Sequence, residues 1–245
     1  MRQRVPEGPV PDPAVQKLRI QYAKRGRMRF SSTRDFQRAL ERAIRRAGIP
    51  MAFSAGFHPH PRISYANAAA TGTASEAEYF ELQLRERRDP EAVHHELDDA
   101  LPGDLAIVAV CEAQSGALAD LLEASDWMLQ FADVDCDTLS GALAKLLDSG
   151  QVEVTRMMKS GPRTFDVRAA ILSADTTRSA PPYLSVLTVQ LRHLTPSVRP
   201  DDVLAALAQI ADLHPVRSPL VTRLRQGPLQ VDGSIADPLT AQRAD

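Results

Sequence analysis

Cysteine is nearly missing from this chain: Cys111 and Cys136 are the only two in 245 residues. That excludes a disulfide framework, and it excludes a four-cysteine zinc or iron–sulfur site held by this chain alone. Two thiols suit a reducing compartment, so the expected location is the cytoplasm. No apolar run approaches the ~20 residues of a membrane span, and no membrane partner is expected. The segment Met1–Val15 carries charge and prolines without an apolar stretch, which is not the pattern of a secretory signal. Aromatic residues are scarce at 5%, yet 44% apolar content is enough for a core. Lysine is scarce too, limited to Lys17, Lys24, Lys145 and Lys159, so positive charge rests on arginine.

The net charge of −2 conceals a strong asymmetry. Residues 1–66 hold fourteen Lys and Arg against four acids, a net +10, while the remaining 179 residues carry −12. A bipolar chain of this kind suggests a polyanion partner on its basic side.

Periodicity divides the chain into two blocks of the same rhythm. Leu18, Ile20 and Tyr22 alternate as a half-buried strand, Lys24-Arg25-Gly26-Arg27 reads as a basic turn, and Met28 and Phe30 resume the alternation. Ser31-Ser32-Thr33 offers cap hydroxyls, with Asp35 three residues after Ser32 as a capping-box partner. Phe36, Ala39, Leu40, Ala43, Ile44 and Ala47 then form one apolar helical stripe, closed by Gly48 and Pro50. After an irregular stretch (Met51–Asn67) come a strand through Phe80, Leu82 and Leu84, a helix from Pro90, and a strand over Leu105–Val110. A polar connector near Gln114–Ser125 is expected to be helical. The second block repeats the order: a strand at Trp127, Leu129 and Phe131, a helix capped by Asp137, and strand material at Val152–Met158 and Phe165–Ile171. A strand at Tyr183–Leu191, a helix with Pro200 in its first turn and an extended segment from Val216 to Leu224 complete it. The expected fold class is α+β: tandem ferredoxin-like (split βαβ) modules, antiparallel sheets with helices on one face. The expected divisions are an unstructured lead-in at 1–16, modules at 17–113 and 127–226 joined by 114–126, and an unstructured tail at 227–245.

The stretch from Lys24 to Tyr79 is distinctive beyond its periodicity. It runs Lys-Arg-Gly-Arg-Met-Arg-Phe, then Asp35 and the arginine-rich helix ending Arg45-Arg46-Ala47-Gly48-Ile49-Pro50. Next come Ser54-Ala55-Gly56-Phe57-His58-Pro59-His60-Pro61 and Gly72-Thr73-Ala74-Ser75-Glu76-Ala77-Glu78-Tyr79. These runs resemble the radical-SAM-linked (radical SAM-associated) family, a domain of unknown function often fused behind radical SAM proteins. The resemblance implies association with a radical SAM protein and a role in RNA or ribosome biology, without an assigned reaction. The three-cysteine cluster motif of radical SAM enzymes is absent, so this chain does not itself cleave S-adenosylmethionine. Thr33 stands where the family has a histidine, and Ala69 and Ala70 replace its Pro-Leu.

Among candidate site residues, Arg34, Arg38, Arg42 and Arg45 fall within roughly 80° around the helix axis, with Arg46 at the edge. Such a guanidinium stripe suits a phosphate backbone, and a solvated helix face is the alternative. Lys24, Arg25, Arg27, Arg29 and Arg62 are expected to extend the basic surface, with Phe57 stacking on a base beside Gly56. His58 and His60 could hold a metal, but nothing at matching spacing completes the set, so no metal or other cofactor is expected. His60 could serve instead as a general base. Ser75, Glu76, Glu78 and Tyr79 lie at a strand entrance, where Glu76 and Glu78 share a face. The expected function is RNA binding, to tRNA or rRNA. The alternatives are a non-catalytic accessory docking a radical SAM enzyme, or an RNA-processing enzyme using His60.

Overall fold

The alternation at Leu18, Ile20 and Tyr22 becomes the first strand, β1 (Gln16–Lys24). The computed structural model describes residues 12–55, 57–114, 116–159 and 161–240, so residues 1–11 of the expected lead-in and Gly56 lie outside the described residues. They form two compact units, one of residues 12–71 with Ala77–Ala119 and the other of Gly72–Glu76 with 120–240. The fold is mixed α+β, with mostly antiparallel strand pairing and four α-helices among the described residues. None of these helices is long and apolar enough to cross a membrane.

The first unit runs β1, α1 (Thr33–Arg46), β2 (Ile63–Ala66), β3 (Ala74–Leu84, mostly in this unit), α2 (Pro90–Ala100) and β4 (Ile107–Glu112). Its strands lie in the order β4-β1-β3-β2, with β1–β4 and β2–β3 antiparallel. Leu18, Ile20 and Tyr22 of β1 and Phe80, Leu82 and Leu84 of β3 share one apolar cluster with Phe36, Leu40 and Ile44 of α1 and Val93 and Leu97 of α2. Because side chains alternate across a strand, both helices cover the same face of these strands. The Tyr22 and Phe36 rings stack with centroids 4.1 Å apart, fixing α1 against β1.

The second unit runs β5 (Ala124–Phe131), α3 (Cys136–Asp148), β6 (Glu153–Met158), β7 (Gly161–Asp166), β8 (Ile171–Arg178), β9 (Ser185–Arg192), α4 (Pro200–Ala211) and β10 (Leu220–Gly227). The order β10-β5-β9-β8 is antiparallel throughout, and β6–β7 is a separate hairpin. Trp127, Leu129 and Phe131 pack with Leu187, Val189 and Leu191 and with Leu139, Leu143, Val203 and Leu207 of the two helices.

Several expectations are corrected. β1 is buried on both faces rather than half-buried, because Arg19 and Ala23, which face away from Leu18, Ile20 and Tyr22, are enclosed as well. Met28 and Phe30 do not resume a strand: Gly26–Phe30 is a 3₁₀ turn, entered through Gly26 at φ +47°. A Cβ at Gly26 would overlap the Asp104 carboxylate, which instead accepts the Arg27 N–H at 3.0 Å. The stretch Met51–Asn67 holds β2, too short to show a period. In place of a helical connector there is a 3₁₀ turn at Leu118–Leu121 leading into β5 at Ala124, and Asp135 rather than Asp137 caps α3, accepting from the Thr138 N–H at 2.9 Å. Residues 228–240, expected to be unstructured, bury Ile235 and Leu239.

Candidate functional site

α1 starts where its sequence says it should. The Ser32 hydroxyl accepts the Asp35 N–H at 3.2 Å, and the Asp35 carboxylate accepts the Ser32 N–H at 3.2 Å and its O–H at 2.7 Å. The Ser32 side chain, and next its backbone N–H, hold the Asp35 carboxyl below its ordinary range, with Arg38 and Arg34 adding to the effect. Asp35 is therefore occupied as a cap. At the other end Gly48, at φ +66°, supplies the left-handed step that lets the chain leave.

Burial of Phe36, Ala39, Leu40, Ala43 and Ile44 turns the arginines outward. Arg34, Arg38, Arg42, Arg45 and Arg46 are all exposed. Arg46 donates to the Ala100 carbonyl at 3.2 Å, and no ion pair engages any of the five among the described residues. From Arg34 to Arg46 the face runs about 18 Å at the α-helical rise of ~1.5 Å per residue. Five guanidiniums along one helix side, none in an ion pair among the described residues, give an electropositive strip fitted to a row of phosphates, with Asp35 and Glu41 of the same helix offsetting part of the charge.

The remaining sequence candidates divide. Arg25 and Arg27 are exposed on the turn after β1, and Arg29 lies over the Phe30 ring at 4.4 Å while donating to the Gly26 carbonyl at 2.9 Å. Arg62 is exposed and donates to Gln83 Oε1 at 3.3 Å. Lys24 is not part of any exposed surface: it is 4% exposed, and its ammonium donates to the Ala69 and Ala70 carbonyls at 3.3 and 3.2 Å. Glu78, expected at a strand entrance, lies within β3 and is buried, its Oε2 accepting the Ala69 N–H at 2.9 Å. Tyr79 is buried and Glu76 half-buried, while Ser75 is buried in the second unit, accepting from Arg223 Nε at 3.4 Å.

His58 and His60 are exposed, and their rings make no hydrogen bond among the described residues. The His60 backbone is fixed instead, its N–H donating to Ser54 Oγ at 3.0 Å and its carbonyl accepting the Ser54 N–H at 2.9 Å. Among the described residues, no hydrogen bond orients the His60 imidazole as a base, and no cluster of metal-ligating side chains occurs.

Two features escaped the sequence reading. One is a buried charge group in which Glu81 meets Arg19 Nε at 3.0 Å and Lys17 Nζ at 2.5 Å, with Arg19 only 1% exposed. Its signal was available, since Arg19 and Glu81 each sit between apolar neighbours and so point to the face opposite the core. The other is a cleft of about 520 Å³ at the C-terminal end of α1, lined by Ile44, Ile49, Met51 and Phe53 together with Arg45 and Arg85. Phe57, the expected stacking ring, is 64% exposed and does not line it.

Comparison with curated proteins finds no match. Residues 17–200 match the bacterial family described as "Uncharacterized protein conserved in bacteria (DUF2344)", and the chain belongs to that family.

Proposed function

We propose that this protein is an RNA-binding protein that holds a phosphate backbone, of tRNA or rRNA, along the exposed arginine face of α1. One observation carries the reading: Arg34, Arg38, Arg42 and Arg45 share a side of one helix, reach solvent and have no ion-pair partner among the described residues. A structural arginine face would be expected to engage carboxylates, as Arg19 engages Glu81. The strand orders β4-β1-β3-β2 and β10-β5-β9-β8, each with two helices, support a further reading as two ferredoxin-like modules. That plan is common among RNA-binding domains. The cysteine count supports a cytoplasmic location, and the motif resemblance supports work beside a radical SAM protein.

The test is ultraviolet crosslinking in cells followed by recovery of the tagged protein. Wild type is expected to carry RNA, and the Arg38→Ala/Arg42→Ala double variant to lose most of it at equal protein yield. RNA recovery equal in the two would reject the α1 face. A protein partner that stays bound after ribonuclease treatment, with no RNA crosslinked, would favour the accessory role.

A further inference from the structure

Of the seven phenylalanines, Phe36, Phe80, Phe131 and Phe165 are buried, while Phe30, Phe53 and Phe57 are 59%, 43% and 64% exposed. All three exposed rings belong to the basic first unit. A chain with few aromatics thus leaves three rings in solvent where its positive charge is concentrated, an arrangement that suits stacking on bases.

Phe53 is the one of the three that borders a cavity. The cleft of about 520 Å³ begins where the arginine face ends, and Arg45 belongs to both. Its apolar lining includes Ile44, Ile49, Met51 and Phe53, with Ile49 and Met51 6% and 4% exposed. Arg45, Glu41, Glu86, Arg85 and Arg88 add polar groups, and of these Arg85 and Arg88 are already paired with Glu86 and Glu96. An apolar lining is a poor place for a phosphate, which would have to give up water for methyl groups. A flat ring with polar edges fits this lining better: its faces meet apolar side chains and its edges meet arginine and glutamate.

We infer that the cleft takes an unpaired nucleobase from the strand whose backbone lies along α1, so that the protein prefers single-stranded RNA to duplex. The inference rests on the RNA reading above and adds strand selectivity to it. In a duplex the bases are paired and stacked inside, so only the backbone can engage the arginines and the cleft stays empty. In a single strand, a base beyond Arg45 turns into the cleft and stacks on Phe53.

The measurement is the affinity of the full chain for three probes: oligoadenylate, the same strand annealed to its complement, and a strand of equal length without bases. Oligoadenylate is expected to bind most tightly. Phe53→Ala is expected to weaken oligoadenylate binding by roughly 5- to 150-fold, the range given by loss of one base–aromatic stack, and to leave the duplex and baseless strands unaffected. Phe53→Tyr keeps a ring and is expected to bind like wild type. Equal affinity for all three probes, or loss on Phe53→Ala that is the same for every probe, would overturn the inference while leaving the arginine face standing. Failure of all three probes to bind would remove it together with the RNA reading.

Discussion

Replacing Arg38 and Arg42 by alanine removes half of the four-arginine stripe of α1, and the loss is expected to show in the salt dependence of RNA affinity. Each arginine that neutralises a phosphate releases a counterion, so log K falls with log salt by about 0.7 per contact on a single strand. Four contacts give a slope near −2.8, and between about 50 and 200 mM salt the affinity falls about 50-fold. With two contacts gone, the slope becomes about −1.4 and the same salt step costs only about 7-fold. Both side chains are exposed and form no ion pair, so the substitutions are expected to leave stability within about 0.5 kcal/mol. Fluorescence anisotropy of a labelled single-stranded RNA across the salt range reads both slopes. Arg192→Ala, a change at an exposed arginine of the second unit, is the control and should keep the wild-type slope. Equal slopes for wild type and the double variant would mean that the phosphates lie elsewhere. A flat response would mean that charge does not drive binding at all.

Three further outcomes follow from the packing. Glu81→Ala leaves the enclosed Arg19 guanidinium without its carboxylate, and chemical denaturation is expected to show a loss of about 3–5 kcal/mol; a loss below about 1 kcal/mol would show that the Gln114 and Gly116 carbonyls, which accept from Arg19 Nη2 at 3.3 and 2.8 Å, satisfy the guanidinium without Glu81. Ser32→Ala removes the α1 cap and is expected to cost about 1 kcal/mol in thermal unfolding. Since the folded Asp35 pKa is lowered, its contribution is present above the unfolded carboxylate pKa and disappears as pH falls through the folded value, so the Ser32→Ala difference should shrink in acid. In the second unit, Trp127 Nε1–H donates to Ser125 Oγ at 2.7 Å, and the His193 ring lies 2.9 Å from that hydroxyl and 2.6 Å from the Leu122 carbonyl. This chain is satisfied by neutral His193, whose pKa is lowered chiefly by burial. The unfolded state therefore gains protons first, and stability monitored by the single tryptophan is expected to fall as pH drops below about 6.5; His193→Gln should flatten that dependence, and an unchanged profile would place the titrating group elsewhere.

Sequence patterning carried most of the fold where one face of an element is apolar. α1 was legible from cap to Gly48 because its core residues repeat at three and four, and its outward arginines followed from the same period. The strand at Trp127, Leu129 and Phe131 was legible for the same reason. Periodicity failed where burial is two-sided or the element is short. Lys24 looked like part of a basic turn because nothing in the local sequence shows the Ala69 and Ala70 carbonyls that enclose it. The four residues of β2 carry too little pattern to be seen without β3 beside them. The cleft was invisible because its lining comes from the end of α1, the Met51–Phe53 segment and Arg85, which meet only after folding. Phe57 stands out in the sequence through its Gly56-Phe57-His58-Pro59 run, whereas Phe53 gains its place beside the cleft only in the folded chain.

The most direct measurement is mass spectrometry of peptides covalently joined to RNA after ultraviolet irradiation of the intact protein in cells. The joined residues are expected to fall within α1, between Thr33 and Arg46, and around Phe53. Crosslinks confined to the second unit, or a yield no greater than that from unirradiated cells, would contradict the assignment of RNA to the α1 face.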